Sequence, residues 1–206
     1  MTAIRYGVRR EWLLILPIIA VLLSAAVVSA SASSRSTGDI HTFRDSNNVD
    51  IPVDDQEDTG TGTLVRTGSG VSANLHTTDL PAGAYTVWWI IFNNPGECAT
   101  DCNGSDLGNP DVGGSVARAT GKVVGPDGKG NFSAHLNVGD TSEALFGPGL
   151  TDSLGAEIHM VIRYHGPVVA ANMPAQINSV GGGCVGSGGD FEFGCYDPQA
   201  VAFPTP

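Results

Sequence analysis

Basic residues are scarce in this chain. Lys and Arg number 10 against 21 Asp and Glu, and Lys122 and Lys129 are the only lysines. Nucleic-acid binders need a basic footprint that displaces counterions from phosphates, so this balance argues against such a partner. It favours solubility and cation binding, and would suit a salty habitat. Long amphipathic helices are missing as well. From Ser33 onward no stretch keeps an apolar face with period 3.6, which argues against a helical bundle. No G-x-S-x-G elbow presents a serine nucleophile. No glycine-rich turn opens a helix that could cradle phosphate, because "GGGCVGSGG" (181–189) has a cysteine inside it and no helical pattern after it. Glycoside cleavage needs two acids facing across a cleft. Glu157, on a strongly strand-like segment, is the best single candidate acid, and no partner for it is visible.

Cysteine is limited to four residues, Cys98, Cys102, Cys184 and Cys195. All lie downstream of an N-terminal segment with three features in order: Arg5, Arg9 and Arg10, an almost wholly apolar run from Trp12 to Val28, then Ala30-Ser31-Ala32. That layout reads as a secretory signal peptide over residues 1–32, cleaved near Ala32. The rival is an uncleaved anchor, since the run approaches the ~20 residues that span a bilayer. Small Ser and Ala residues after the run, rather than a charged flank, favour cleavage. No cysteine stands at the cleavage point, so nothing indicates a lipoprotein. Removing residues 1–32 takes away three arginines and Glu11 and moves the formal net charge from −11 to −13. The expected product is secreted or periplasmic, has no membrane partner once cleaved, and meets a cell-envelope component or a small ligand. In that oxidising setting an even cysteine count favours disulfides, with Cys98–Cys102 and Cys184–Cys195 the preferred of three pairings. The competing zinc site would combine C-x3-C and C-x10-C halves and lacks the usual C-x2-C spacing.

What the chain does have is short strands between turns. Residues 33–62 are rich in Ser, Thr, Asp, Asn and Gly, with an acidic cluster at Asp54, Asp55, Glu57 and Asp58. With few large apolar side chains this stretch reads as a flexible arm, "DIHTF" (39–43) docking at most as an edge strand. From residue 63 the candidates are "TLVRT" (63–67), "VSANLHT" (71–77), "SVARATGKVV" (115–124), "NFSAHLNV" (131–138), "AEIHMVIRYH" (156–165), "QINSV" (176–180) and "QAVAF" (199–203). "TSEALF" (141–146) suggests one helical turn. In "AGAYTVWWIIFNNPGECATDC" (82–102) the run Val87–Phe92 is apolar without a break, and Trp88 and Trp89 must point to opposite faces. Both faces therefore need cover, and the loop from Asn93 to Gly114, pinned by Cys98–Cys102, is the simplest source. The expected fold over 63–206 is all-β, an antiparallel, Greek-key-like β-sandwich with long disulfide-pinned loops.

Three candidate sites emerge. His76, His135, His159 and His165 lie on strand-like segments opposite the inward apolar set and could ligate copper or zinc. His159 and His165 are six residues apart, ~20 Å along a strand, so any shared metal must join one of them to His76 or His135. "DCNGSDLGNPD" (101–111) offers Asp101, Asn103, Asp106, Asn109 and Asp111 as calcium ligands, without the closing Glu of a calcium loop; simple turn formation is the competing account. Trp88 is a candidate sugar-stacking platform.

At "LHTTDLPAGAYTVWWIIFNNPGEC" (75–98) and "GAEIHMVIRYHGP" (155–167) the chain resembles a group of exported bacterial proteins. The resemblance covers most of Thr63 to Phe203 and implies a domain rather than an activity. Histidines on a secreted β-sandwich resemble, more distantly, the copper/zinc superoxide dismutases and the chordin-type domain. The dismutase pattern needs a close H-x-H pair on one strand, which is missing here, so its activity is not implied. The expected function is a non-enzymatic, exported binding or envelope-associated module. The alternatives are a copper- or zinc-binding metalloprotein and a carbohydrate-binding module using Trp88.

Overall fold

The computed structural model describes residues 33–188 and 192–206. The signal peptide expected over residues 1–32 lies outside them. The strands run in chain order as β1 (Ser33–Thr42), β2 (Asp58–Thr67), β3 (Gly70–Thr77), β4 (Gly83–Phe92), β5 (Gly114–Val124), β6 (Gly130–Asn137), β7 (Ala144–Phe146), β8 (Glu157–Tyr164) and β9 (Tyr196–Phe203). One short helix, α1 (Met173–Asn178), precedes β9. No described helix is long and apolar enough to cross a membrane.

All nine strands join one antiparallel sheet in the order β6-β3-β2-β1-β9-β8-β4-β5-β7. The all-β antiparallel expectation holds. Its form is a single curled sheet, a half-barrel, whose opposite walls take the place of a sandwich's two layers. Strand twist supplies the curl, and irregularities at Ile40/His41, Val87/Trp88, Val116/Ala117 and Ile162/Tyr164 add to the bending. Period-2 alternation aims Val71, Ala73 and Leu75 of β3 inward, and Phe132 and Leu136 of β6 beside them. They share one core with Trp89 of β4, Val124 of β5, Met160 of β8 and Phe203 of β9.

Three expectations need correcting. The stretch read as a flexible arm contains β1, an interior strand paired with both β2 and β9. Its poverty in large side chains is what the position requires. Phe203 is fully buried, and a Cβ on Gly38 or Gly62 would stand 3.6 or 2.8 Å from its ring. Arg66 of β2, opposite Ser34 in the register, is also fully buried. Its guanidinium donates to the carbonyls of Ser153, Ala156, Phe203 and Pro204 at 2.7–3.2 Å. To reach the end of β9 from β2 it must pass over β1, and only small residues there leave room.

"TSEALF" forms no helical turn. The Asp140 carboxylate accepts from the Ser142 N–H and hydroxyl, which makes a side-chain-closed turn, and Ala144–Phe146 then pair with β5 as β7. "QINSV", read as a strand, falls mostly within α1. Pro174 suits the first turn of a helix. The buried Gln176 side chain accepts from the Val169 N–H and donates to the carbonyls of His165 and Pro167. Periodicity could not reveal those partners.

Candidate functional site: a groove between two disulfide-closed covers

The tryptophan strand has the two faces its sequence demands. Tyr85, Val87, Trp89 and Ile91 point into the core, whereas Thr86, Trp88, Ile90 and Phe92 line the outside of the sheet. The Asn93–Gly114 loop covers one end of that outer row, as expected. Phe92, Cys102 and Val112 form a small second core with Ile90, Cys98 and Leu107 against it, and Cys98–Cys102 is a disulfide.

A second cover was not legible in the sequence. Cys184–Cys195 is also a disulfide, and with α1 it closes the segment lying over Thr86. There the Trp88 Nε1–H donates to Thr86 Oγ1 at 2.7 Å, Thr86 Oγ1 meets His165 Nε2 at 2.7 Å, and His165 Nδ1 meets the Gly182 carbonyl at 2.8 Å. A carbonyl can only accept, so Nδ1 carries the proton and Nε2 accepts from the threonine hydroxyl. With a neutral imidazole every group of the relay has its partner, the threonine hydroxyl included. Burial pushes the His165 pKa down to about 4, with nearby Arg163 in the same direction and the Gly182 bond opposing.

Between the two covers the outer face stays open as a groove of about 410 Å³. The strand registers fix its floor. Trp88, Val161, Ala200 and His41 form one row across β4, β8, β9 and β1, and Ile90, His159 and Ala202 form the adjacent row. The alanines of β9 make the trough; larger side chains at these positions would fill it. Leu107 stands on one side, and Phe43, Arg44 and Val180 on the others. The rim is polar. His159 Nε2 lies 2.6 Å from Glu157 Oε1, and its ring sits edge-on to Phe92 at 5.1 Å. Arg44 and Arg163 share the carboxylate of Asp197, at 3.2 and 2.8 Å, and Arg44 also pairs with Asp50 at 2.7 Å, so the charges of this cluster balance.

The candidate metal histidines are not brought together. His76 pairs with Asn131 on β3–β6, and His135 with Ser72 and Asn137; the register holds the two four residues apart, ~13 Å. Strands β2, β1 and β9 separate β3 from β8, which carries His159. Among the described residues a single group of three potential metal ligands forms, His165 with Cys184 and Cys195, and its sulfurs are joined to each other. Asp106, Asn103 and Asn109 of the calcium set have partners within their own loop. Asp106 accepts from the N–H groups of Ala99 and Asn103, Asn103 Oδ1 from Ser105, and Asn109 Oδ1 from the Asp111 N–H. These oxygens close the loop's own turns, while Asp101 and Asp111 stand exposed. Trp88 is 6% exposed, too little for a stacking platform. Glu157 pairs with a histidine and not with a second acid: Glu157-x-His159 on a strand puts both side chains on one face, a signal the sequence carried.

Fold and site together define an all-β half-barrel with a ligand-sized groove on its outer surface. The chain matches no family model, no curated protein and no solved structure. The groove itself is therefore the ground for a functional reading.

Proposed function

We propose that this is an exported, non-catalytic binding module whose ligand is a small molecule with an apolar body and a polar head. In this reading a signal peptide cleaved near Ala32 directs the chain out of the cytoplasm, and the mature domain works in the periplasm or outside the cell. The two disulfides support an oxidising, extracellular setting.

The observation that carries the reading is the groove. Its volume falls within the ~300–1,000 Å³ of small-molecule sites, and apolar walls with a few placed polar groups are their usual lining. Ile90, Val161, Ala200 and Ala202 would take the apolar body. The Glu157–His159 pair and the Arg44–Asp197–Arg163 triad would fix the head.

Groove-filling tests this. Ala202 is exposed, so Ala202→Phe should leave stability within about 0.5 kcal/mol. The wild-type protein should bind the fluorophore anilinonaphthalene sulfonate saturably and at one equivalent, and Ala202→Phe should weaken that binding at least tenfold. Equal dye binding by both proteins would rule the groove out as the site.

A further inference from the structure

His165, Cys184 and Cys195 play no part in the groove's chemistry, and they form the one cluster of potential metal ligands among the described residues. Their arrangement has a specific geometry. His165 Nδ1 lies 3.5 Å from Cys184 Sγ and 3.9 Å from Cys195 Sγ. Around a metal with bonds of ~2.3 Å to sulfur and ~2.0 Å to nitrogen, ligand nitrogen and sulfur stand ~3.5 Å apart in tetrahedral and ~3.7 Å in trigonal geometry. The imidazole therefore already sits at ligand distance from both sulfurs. Only the sulfurs are too close to one another, because they are bonded.

We propose that reduction of Cys184–Cys195 converts this latch into a two-thiolate, one-imidazole site for a soft d10 cation, with copper(I) the preferred ion. The step balances simply. A small dithiol reduces the disulfide to two thiols and becomes its own cyclic disulfide. Copper(I) then binds both sulfurs as thiolates, and the two thiol protons leave to solvent. His165 keeps its single proton but moves it from Nδ1 to Nε2, giving up the bond to the Gly182 carbonyl and freeing Nδ1 for the metal. The Nε2–H then faces Thr86 Oγ1 at 2.7 Å, and that oxygen has two lone pairs to accept from both His165 and Trp88. A hydrogen bond at the far nitrogen is how metal-bound histidines are ordinarily oriented.

Soft thiolates select copper(I) and zinc over harder ions. Zinc prefers four protein ligands in a closed site. No fourth His, Cys, Asp or Glu joins this group among the described residues, and a low-coordinate ion suits three donors. The imidazole is fully buried and Cys184 nearly so, which shields thiolates from water, while the half-buried Cys195 gives dithiol and metal an approach. This site differs from the strand-histidine set, sharing with it His165 alone, and it stands whether or not the groove binds a ligand.

The test uses the protein carrying Cys98→Ser and Cys102→Ser, so that no other thiols compete. Reduced with a dithiol, freed of reductant and titrated with copper(I) against the chromogenic chelator bicinchoninate, it should retain one equivalent. Thiolate-to-copper absorption should appear in the near ultraviolet and Trp88 emission should change in step. His165→Gln should weaken retention at least tenfold while circular dichroism stays that of a β protein, and the oxidised protein should retain none. Equal retention by His165→Gln, equal retention by the oxidised form, or loss of β structure on reduction would each overturn the proposal.

Discussion

At the scale of single residues, two buried groups make the sharpest predictions. His165 folds as a neutral imidazole with a pKa pushed down to about 4 from its ordinary 6.5. The unfolded chain therefore takes up a proton that the folded chain refuses. The stability this residue permits is fully present above pH 6.5 and falls as pH drops toward 4, by about 3 kcal/mol in all. Urea unfolding at a series of pH values should show that acid limb, and His165→Gln should flatten it; an unchanged limb in the variant would assign it elsewhere. Arg66 is the second group. Its guanidinium faces four carbonyls and no carboxylate within ion-pair distance among the described residues. Arg66→Met keeps the stem but strands those acceptors in a dry site, and should cost about 3 kcal/mol or more. Arg66→Lys should not rescue it, since an ammonium cannot reproduce the fork. A denaturation midpoint unchanged in Arg66→Met would show the carbonyls to be satisfied by other means.

At the scale of elements, β1 is the test of how this sheet closes. It lies between β2 and β9 and lets the Phe203 ring settle over Gly38 and Gly62. A Cβ at Gly62 would stand 2.8 Å from the tip of that ring and 3.0 Å from Leu75 Cδ2. Gly62→Ala should thus destabilise by about 1–3 kcal/mol through overpacking. Because the conflict is with Phe203, Gly62→Ala combined with Phe203→Leu should cost less than the two changes summed. Strict additivity in thermal or chemical unfolding would mean that the ring does not rest there. Strands with alternating large apolar residues, such as β3, β6 and β8, were legible in the sequence because their own side chains form the core. β1 was not, because its inward residues other than Ile40 are small and its stability comes largely from hydrogen bonds on both edges and from side chains reaching over it. The same holds for α1, whose anchor Gln176 finds its partners only in space.

At the scale of the whole molecule, a surplus of acids repels itself in the compact state. With a formal net charge of −11 and only a few ion pairs among the described residues to offset it, raising sodium chloride from low to about 1 M should raise the melting temperature. A flat or falling trend would indicate that local pairs outweigh the general field. The amino-acid sequence alone determined the features that neighbours along the chain dictate, the antiparallel β class and the need to cover both sides of the tryptophan strand, and it favoured the two local disulfides among three pairings. Those rest on period-2 patterning, cysteine spacing and the hydrophobic cost of exposed indoles. The tertiary structure decided the rest. Inter-strand register separated the four histidines and aligned the alanines of β9 beside Val161 and Ile90. It left a groove between two covers and brought His165 against a disulfide that begins 19 residues further on. Register and loop closure are set by contacts between distant segments, and no local pattern encodes them.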